Sequence, residues 1–594
     1  MTVTDKIAAL RRAMLENQID AYVVPSTDPH QSEYPAPRWA AREYLSGFTG
    51  SAGTLVVTLH EAKLWTDGRY FLQAEQQLAG TGIELMKDRL PETPSIETWL
   101  GETLLEGQNV GADGRVISDA TARRMKRQLE EKGINLLTDE DLVRKVWTDS
   151  PAVPTGPVFL HDPELSGAPW QERLVRISEW MAEQNVDYYV LSALEEFAWL
   201  LNMRGSDIDY NPLCVAYFIS GRRGDHALFA EPRSNFDLWT ESVPAGHQLA
   251  CYHYADVSTY IRRTNAIDAD IGLDPATISA RLCMHAGDTK TNKIASPIPA
   301  WKAIKNDREQ DFIRQTMRHD AVALLRLRRW LDGAVAAGVT EFEVGRRLDQ
   351  FRSEQPYYRS ESFPAIVGYA GNGAIIHYRA PENGSATLKP EGLLLVDSGG
   401  QYDTGTTDIT RTFALGPVSE TMREAFTRVL QGHISLGAAK FPVGTSGAQL
   451  DVLARIALWT NCQDYRHGTG HGMGYFLNVH EGPMGINQLP KSLKAQYPLA
   501  AGMVLSNEPG YYEAGAFGIR TENTLIVQPA AKAGWLEFET VSLFPIDKSL
   551  IVQPLLTRDQ VAWINAYHAR VLAEVGPLLE GEELAWLEAA CGAL

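Results

Sequence analysis

Leu393-Leu394-Leu395-Val396-Asp397-Ser398-Gly399-Gly400 is an apolar run that ends in a carboxylate and passes at once into glycines. Its pattern predicts a buried strand. After the polar stretch Gln401 to Gly405 comes Thr406-Thr407-Asp408-Ile409-Thr410-Arg411-Thr412-Phe413, rich in β-branched residues, and the two runs together predict a hairpin. A turn centred on Tyr402 and Asp403 sets Asp397 directly opposite Asp408, with both side chains on one face. Opposed β-carbons lie about 4.5 to 5.5 Å apart, so two buried carboxylates there repel unless one is protonated or a cation sits between them. For this pair taken alone, an aspartate that caps the turn fits the spacing equally well.

Met503-Val504-Leu505-Ser506-Asn507-Glu508-Pro509-Gly510 and Gly518-Ile519-Arg520-Thr521-Glu522-Asn523-Thr524-Leu525-Ile526-Val527 repeat the pattern with glutamates, and Gly515 lies midway between Glu508 and Glu522. A second hairpin opposes these two acids as the first opposes the aspartates, and apolar flanks on both argue against solvated pairs. Between the hairpins, His467-Gly468-Thr469-Gly470-His471-Gly472 carries alternate glycines that would let the backbone approach an ion or substrate closely. His480-Glu481-Gly482-Pro483 follows, and Ala374-Ile375-Ile376-His377-Tyr378 places a further histidine at the end of an apolar strand upstream of Asp397. Each histidine taken singly reads as structural; beside two acid pairs the reading changes. Four carboxylates and one imidazole form a set of mostly hard oxygen that would nearly neutralise two divalent ions. Such a set favours Mn²⁺ and leaves Co²⁺, Zn²⁺ and Fe²⁺ open. Two ions about 3.5 to 4 Å apart hold a bridging hydroxide and polarise the bond it attacks, so hydrolysis is the natural chemistry.

The chain has 594 residues, beyond the length at which one core stops growing, so two to four domains are expected. Apolar residues at 44% and charged residues at 22% exclude a chain dominated by disorder. The 74 acids against 55 bases give a net charge of -19, spread along the sequence, which argues against a nucleic-acid partner. Cys214, Cys251, Cys283, Cys462 and Cys591 are scattered without C-x-x-C spacing and indicate a reducing compartment. Met1-Thr2-Val3-Thr4-Asp5-Lys6 opens no signal-peptide core, and no segment nears 18 uninterrupted apolar residues, so a cytoplasmic protein without a membrane partner is expected.

Proline-rich stretches at 150–157 and 296–299 read as linkers and divide the chain into 1–152, 153–300 and 301–594. Met14-Leu15-Glu16-Asn17-Gln18-Ile19-Asp20-Ala21-Tyr22-Val23-Val24 lines up with Met181-Ala182-Glu183-Gln184-Asn185-Val186-Asp187-Tyr188-Tyr189-Val190-Leu191, so the first two parts read as duplicated α/β units. The third opens with a long amphipathic helix from Asp307 to Leu325 and carries the acid pairs. Near its end Val561, Ile564, His568, Val571, Leu572 and Val575 recur at helical spacing, which makes His568 a helix-face residue without chemistry.

The order Asp397, Asp408, His471, Glu508, Glu522 resembles the ligand order of the pita-bread metallopeptidases. With His377, the motifs at 396–399, 407–411, 467–472 and 506–510 are similar to those of the Xaa-Pro aminopeptidase (aminopeptidase P) family. Ser46-Gly47-Phe48-Thr49-Gly50-Ser51-Ala52-Gly53, Trp65-Thr66-Asp67-Gly68-Arg69-Tyr70-Phe71 and the duplicated front half resemble its long three-domain cytosolic form. The resemblance implies an α/β (α+β) chain: two creatinase-like domains, 1–152 and 153–300, then a pita-bread catalytic domain, 301–594, with a C-terminal helical extension. It also implies a dinuclear manganese site, a homodimer, and peptide substrates with proline in second position. Carried over by motif, Asp397 and Asp408 ligate one ion, Asp408, His471 and the glutamates reach the other, and Glu508 and Glu522 help bridge. Glu508 is implied as proton acceptor, His377 and His480 as substrate contacts that stabilise the tetrahedral intermediate, and His467 as the lining of the proline side. Arg69 is implied as a contact to longer peptides, with a structural turn arginine as the equal alternative. A prolidase confined to dipeptides shares the five ligands and is the alternative activity. Creatinase-type relatives without metal lack the ligand set that is intact here, and a non-enzymatic pita-bread interaction module is the alternative from another class.

Overall fold

The helix Val3–Glu16 closes at Asn17, Gln18 turns through a left-handed conformation (φ 56°), and the chain enters the strand Ala21–Pro25. The same passage recurs as helix Trp170–Glu183, Asn185 at φ 56°, and strand Tyr188–Leu191. The computed structural model describes residues 1–233, 235–288, 290–489 and 492–594. The chain divides into one unit of Met1–Pro163 with Ala168–Ile298 and another of Glu164–Gly167 with Pro299–Leu594.

In the first unit the duplication extends to whole sheets. One sheet has the order Glu84–Lys87, Ala62–Thr66, Thr54–Thr58, Ala21–Pro25, Asn109–Ala112, Asn135–Leu137; the other has Gln248–His253, Asp225–Ala230, Ala216–Gly221, Tyr188–Leu191, Ile271–Leu273, Thr291–Lys293. Strand directions agree pair by pair: in each sheet the first three strands in sequence are successively antiparallel, and every other pair is parallel. The repeats meet through equivalent residues. Ser118 bridges Ser279, the Asp119 N–H donates to the Ile278 carbonyl, and the Ala280 N–H donates to the Ile117 carbonyl.

The second unit opens on the helix Asp307–Ala334, whose start is fixed by a reciprocal cap between Asn306 and Glu309. Ile313, Met317, Ala321, Leu324, Leu327 and Leu331 recur at helical spacing and are buried. Asp320 on the same helix receives both the Arg352 guanidinium, at 2.8 and 3.1 Å, and the Tyr402 hydroxyl, at 2.8 Å, which fastens the first hairpin to the helix. Leu393–Ser398 runs antiparallel between Ile366–Tyr369 and Ile409–Ala414. A six-stranded sheet has the order Lys440–Pro442, Trp535–Thr540, Asn523–Pro529, Val504–Asn507, Gly470–Gly472, Glu481–Ile486. The chain ends in the helices Arg558–Val575 and Gly581–Ala590; His568 is buried on the first and accepts from the Ile546 N–H. No helix among the described residues is long and apolar enough to cross a membrane.

Two local expectations change. In the first hairpin Asp397 pairs with Thr410, not Asp408. The turn is centred one residue later than expected, because Gln401 and Tyr402 pair with Thr406 and Gly405 and leave Asp403 and Thr404 at the tip. His377 does not end a strand. A 3-10 turn, Ala370–Ala374, precedes it, since glycines at 371 and 373 lie where a side chain would meet the backbone of Gly515 and Gly518. The second hairpin has the expected register: Asn507 pairs with Asn523 and Gly510 with Arg520, so Glu508 and Glu522 face each other between these pairs.

Candidate metal centre

The shift in the first hairpin amounts to two residues, and side chains alternate with period two, so Asp408 still shares a face with Asp397. Asp408 lies level with Gly399, where a β-carbon would come within 1.9 Å of the Thr407 carbonyl and 2.2 Å of Ser362 Oγ. Only glycine permits that closeness. His471 stands on the short strand Gly470–Gly472, between Val504–Asn507 and Glu481–Ile486. The flanking glycines admit neighbouring protein backbone, not an ion or substrate: a β-carbon on Gly470 would lie 2.1 Å from the Ser506 carbonyl, and one on Gly472 2.3 Å from that of Glu481.

His471 Nε2 is 3.3 Å from Asp408 Oδ2 and 3.5 Å from Glu508 Oε1. Its Nδ1 faces the Gly472 carbonyl at 3.0 Å; a carbonyl only accepts, so Nδ1 carries a proton and Nε2, on the side of the acids, is the nitrogen that would ligate a cation. His467 is fixed in the same way. Nδ1 donates to the Gly468 carbonyl (2.7 Å), and Nε2 accepts from the Tyr512 hydroxyl (2.8 Å), which in turn accepts from Arg520 Nη1 (2.6 Å). Arg520 Nη2 then reaches Asp397 Oδ2 at 2.5 Å.

Ligand atoms of Asp408, His471 and Glu522 all lie within 4.8 Å of one another. Burial, then repulsion from Asp397 and Glu508, pushes the Asp408 carboxyl well above its ordinary range; burial, then Asp408, Asp397 and Glu508, does the same to Glu522. Thr410 Oγ1 donates to Glu522 Oε2 at 2.7 Å, while Asp397 Oδ1 is buried with no hydrogen-bond partner. Such a set repels itself without added positive charge and leaves a lone pair of Asp397 unused. Hard oxygen donors with one imidazole fit divalent metal ions.

The structure also brings His480 to this group, and for His377 it places the preceding backbone. The His480 ring stands edge-on to His471 with centroids 4.3 Å apart. The carbonyl of Ile376, next to His377, accepts from the same Arg520 Nη2 that holds Asp397. Arg69, in the first unit, is bound to Asp67 through Nε and Nη2 at 2.9 and 2.8 Å. Sequence reasoning missed Arg520, Tyr512 and His433. Arg520 and Tyr512 carried a usable signal, since alternation along the second hairpin puts them on the face of Glu522 and Glu508. His433 lies on the helix Glu420–Gly437 and is buried, with burial and then Arg411 lowering its pKa to about 3. It is therefore neutral, with Nδ1 on the Asn507 carbonyl and Nε2 on the Asn523 amide, and so anchors the residues beside both glutamates.

Comparison with known proteins agrees with this geometry. Residues 311–529 match metallopeptidase family M24, 534–594 match the C-terminal region of that family, and 6–146 and 149–309 each match a creatinase/prolidase N-terminal domain. Xaa-Pro aminopeptidase 1 of Dictyostelium discoideum is 39% identical over 98% of this chain and 94% of its own. Aminopeptidase P2 of Arabidopsis thaliana is 39% identical over 98% of this chain and 87% of its own. The crystal structure of X-prolyl aminopeptidase from Caenorhabditis elegans, described as a cytosolic enzyme with a di-nuclear active site, superposes with a TM-score of 0.95 at 34% identity over the whole of both chains. The chain belongs to metallopeptidase family M24, among the Xaa-Pro aminopeptidases, with creatinase-type domains ahead of a pita-bread catalytic domain.

Proposed function

We propose that the chain removes the N-terminal residue from peptides with proline in second position, at a centre held by Asp397, Asp408, His471, Glu508 and Glu522. The observation that carries this reading is the convergence of four carboxylates and the Nε2 of His471, with burial and mutual repulsion raising the carboxyls of both Asp408 and Glu522. Two divalent ions, when bound there, supply a nucleophile from water at neutral pH and polarise the scissile carbonyl. The oxygen-rich donors support Mn²⁺.

Around them the residues have separate tasks. Glu508 stands between two imidazoles, with Oε1 3.5 Å from His471 Nε2 and Oε2 3.9 Å from His467 Nδ1. Its side chain is 18% exposed against 6% for Asp408, so it is open to take the proton of the attacking water and return it to the proline nitrogen as the bond breaks. His480 and His377 offer imidazole edges to the carbonyl oxygen as it gains charge. His467, whose ring is held by Tyr512, lines the place of the proline ring, and the acid cluster receives the free α-amine. Arg69, fixed by Asp67, serves longer peptides. The division at 152 and 300, a homodimer and a cytoplasmic location complete the reading; the last is supported by the cytosolic Caenorhabditis relative and by five cysteines that are all free.

Two variants separate the roles. Asp408→Ala should lose both metal and activity. His480→Ala should keep its metal while turnover falls by about 10² to 10³. Activity in metal-free Asp408→Ala protein would overturn the ligand assignment.

A further inference from the structure

His480 is followed at once by Glu481, which is 3% exposed and whose two oxygens are each held by a separate buried lysine. Lys302 Nζ donates to Oε2 at 2.7 Å, and Lys305 Nζ donates to Oε1 and to the carbonyl of Met473. Both lysines are as buried as their partner, at 4% and 2% exposure. They come from the segment by which the chain enters the second unit, on the helix Ile298–Ala303 and just before the cap at Asn306. Glu481 also pairs with Gly472, the residue after His471, across an irregularity in the register. Through its carboxylate and its backbone, one residue therefore ties three pieces of chain: the entry segment, the strand of His471 and the start of the strand that follows His480.

A buried ion cluster is a weak source of stability, because desolvation offsets most of the attraction, and apolar side chains of equal volume would do as well. Two ammonium groups on one carboxylate are poorly explained by folding alone. What they do provide is orientation: with both oxygens held, the Glu481 side chain cannot turn, and the backbone that carries His480 is fixed relative to His471. We propose that Lys302 and Lys305 are positioning residues for His480, acting through Glu481. The inference rests on the role of His480 given above.

The test is steady-state kinetics on full-length protein saturated with Mn²⁺. Lys302→Met leaves a neutral Glu481–Lys305 pair, so folding should survive. Its kcat should fall about 10- to 100-fold, the scale of a displaced catalytic group, with KM and metal content unchanged. Lys302→Arg should restore most of the loss, and Glu481→Gln, a second variant of nearly the same shape, should also lower kcat with KM unchanged. In a His480→Ala background Lys302→Met should cost almost nothing more, because the group it positions is gone. A wild-type kcat for Lys302→Met and Glu481→Gln, or a loss that multiplies independently with that of His480→Ala, would overturn the clamp and leave the catalytic reading intact. A wild-type kcat for His480→Ala would remove the reading on which the clamp rests.

Discussion

Asp408 and Glu522 illustrate how much a single residue says here. Their presence and order were legible, because Asp408 opens a β-branched run across a turn from Asp397 and Glu522 mirrors Glu508 about Gly515. Their protonation was not legible, since it arises from burial beside Asp397 and Glu508, far away in sequence. Each has a folded pKa above its unfolded value of about 4, so each favours the metal-free fold while protonated. That contribution is fully present below about pH 4 and is lost as pH rises through the raised folded values. Metal-stripped protein should accordingly become easier to unfold as pH rises, and Asp408→Asn should flatten that slope. Denaturant midpoints against pH check this, and identical slopes would contradict it. Metal has to displace those protons, so titrating Mn²⁺ into stripped protein below the raised folded values should release protons, measurable by calorimetry in buffers of different ionisation enthalpy. At Tyr512 the expectation is kinetic. Tyr512→Phe removes the donor to His467 and an acceptor of Arg520, and should lower kcat/KM about tenfold while metal content stays constant.

At the scale of elements, alternation survived an error that pairing did not. The turn of the first hairpin was misplaced by one residue because Tyr402 reads as a turn residue, whereas it pairs with Gly405 and points its hydroxyl at Asp320. A two-residue slip keeps every side chain on its face, which is why the acid pair was found although its register was wrong. The 3-10 turn before His377 was hidden for a different reason: Ile375 and Ile376 look strand-like, and what prevents the strand is the tip of the second hairpin, a contact no local pattern contains. The glycines between His467 and Gly472 were legible as necessary, but their neighbours were not. Because the obstacle at Gly470 is the backbone oxygen of Ser506, a β-carbon there cannot be relieved by a rotamer change. Gly470→Ala should destabilise at or above the upper end of the roughly 1–3 kcal/mol typical of overpacking, and should weaken metal retention by moving His471. Urea unfolding with metal analysis decides it; a stable, metal-replete variant would contradict the packing.

For the whole molecule, the internal duplication was visible as one matched helix-to-strand passage, and it proves to extend to strand order and direction in both front sheets. The pairing of Ser118 with Ser279 was not legible, because equivalent residues meet only once both repeats are folded. The two units of the chain give a thermal expectation. Metal held by residues of the second unit should stabilise the fold by about 2.7 kcal/mol when free ion exceeds its dissociation constant a hundredfold. A chelator should therefore lower the calorimetric transition in which that unit melts; a transition unmoved by chelation would contradict the metal centre. The central claim, metal-dependent cleavage before a second-position proline, is tested most directly by mass spectrometry of a peptide panel incubated with Mn²⁺-loaded protein. The panel needs Arg-Pro-Pro and longer Xaa-Pro peptides, their Nα-acetylated forms, Xaa-Pro dipeptides and Xaa-Ala controls. The expected result is loss of one N-terminal residue from free Xaa-Pro peptides of three residues and more, none from acetylated or Xaa-Ala peptides, and none after chelation. Cleavage of dipeptides alone, or cleavage that persists in metal-free protein, would contradict it.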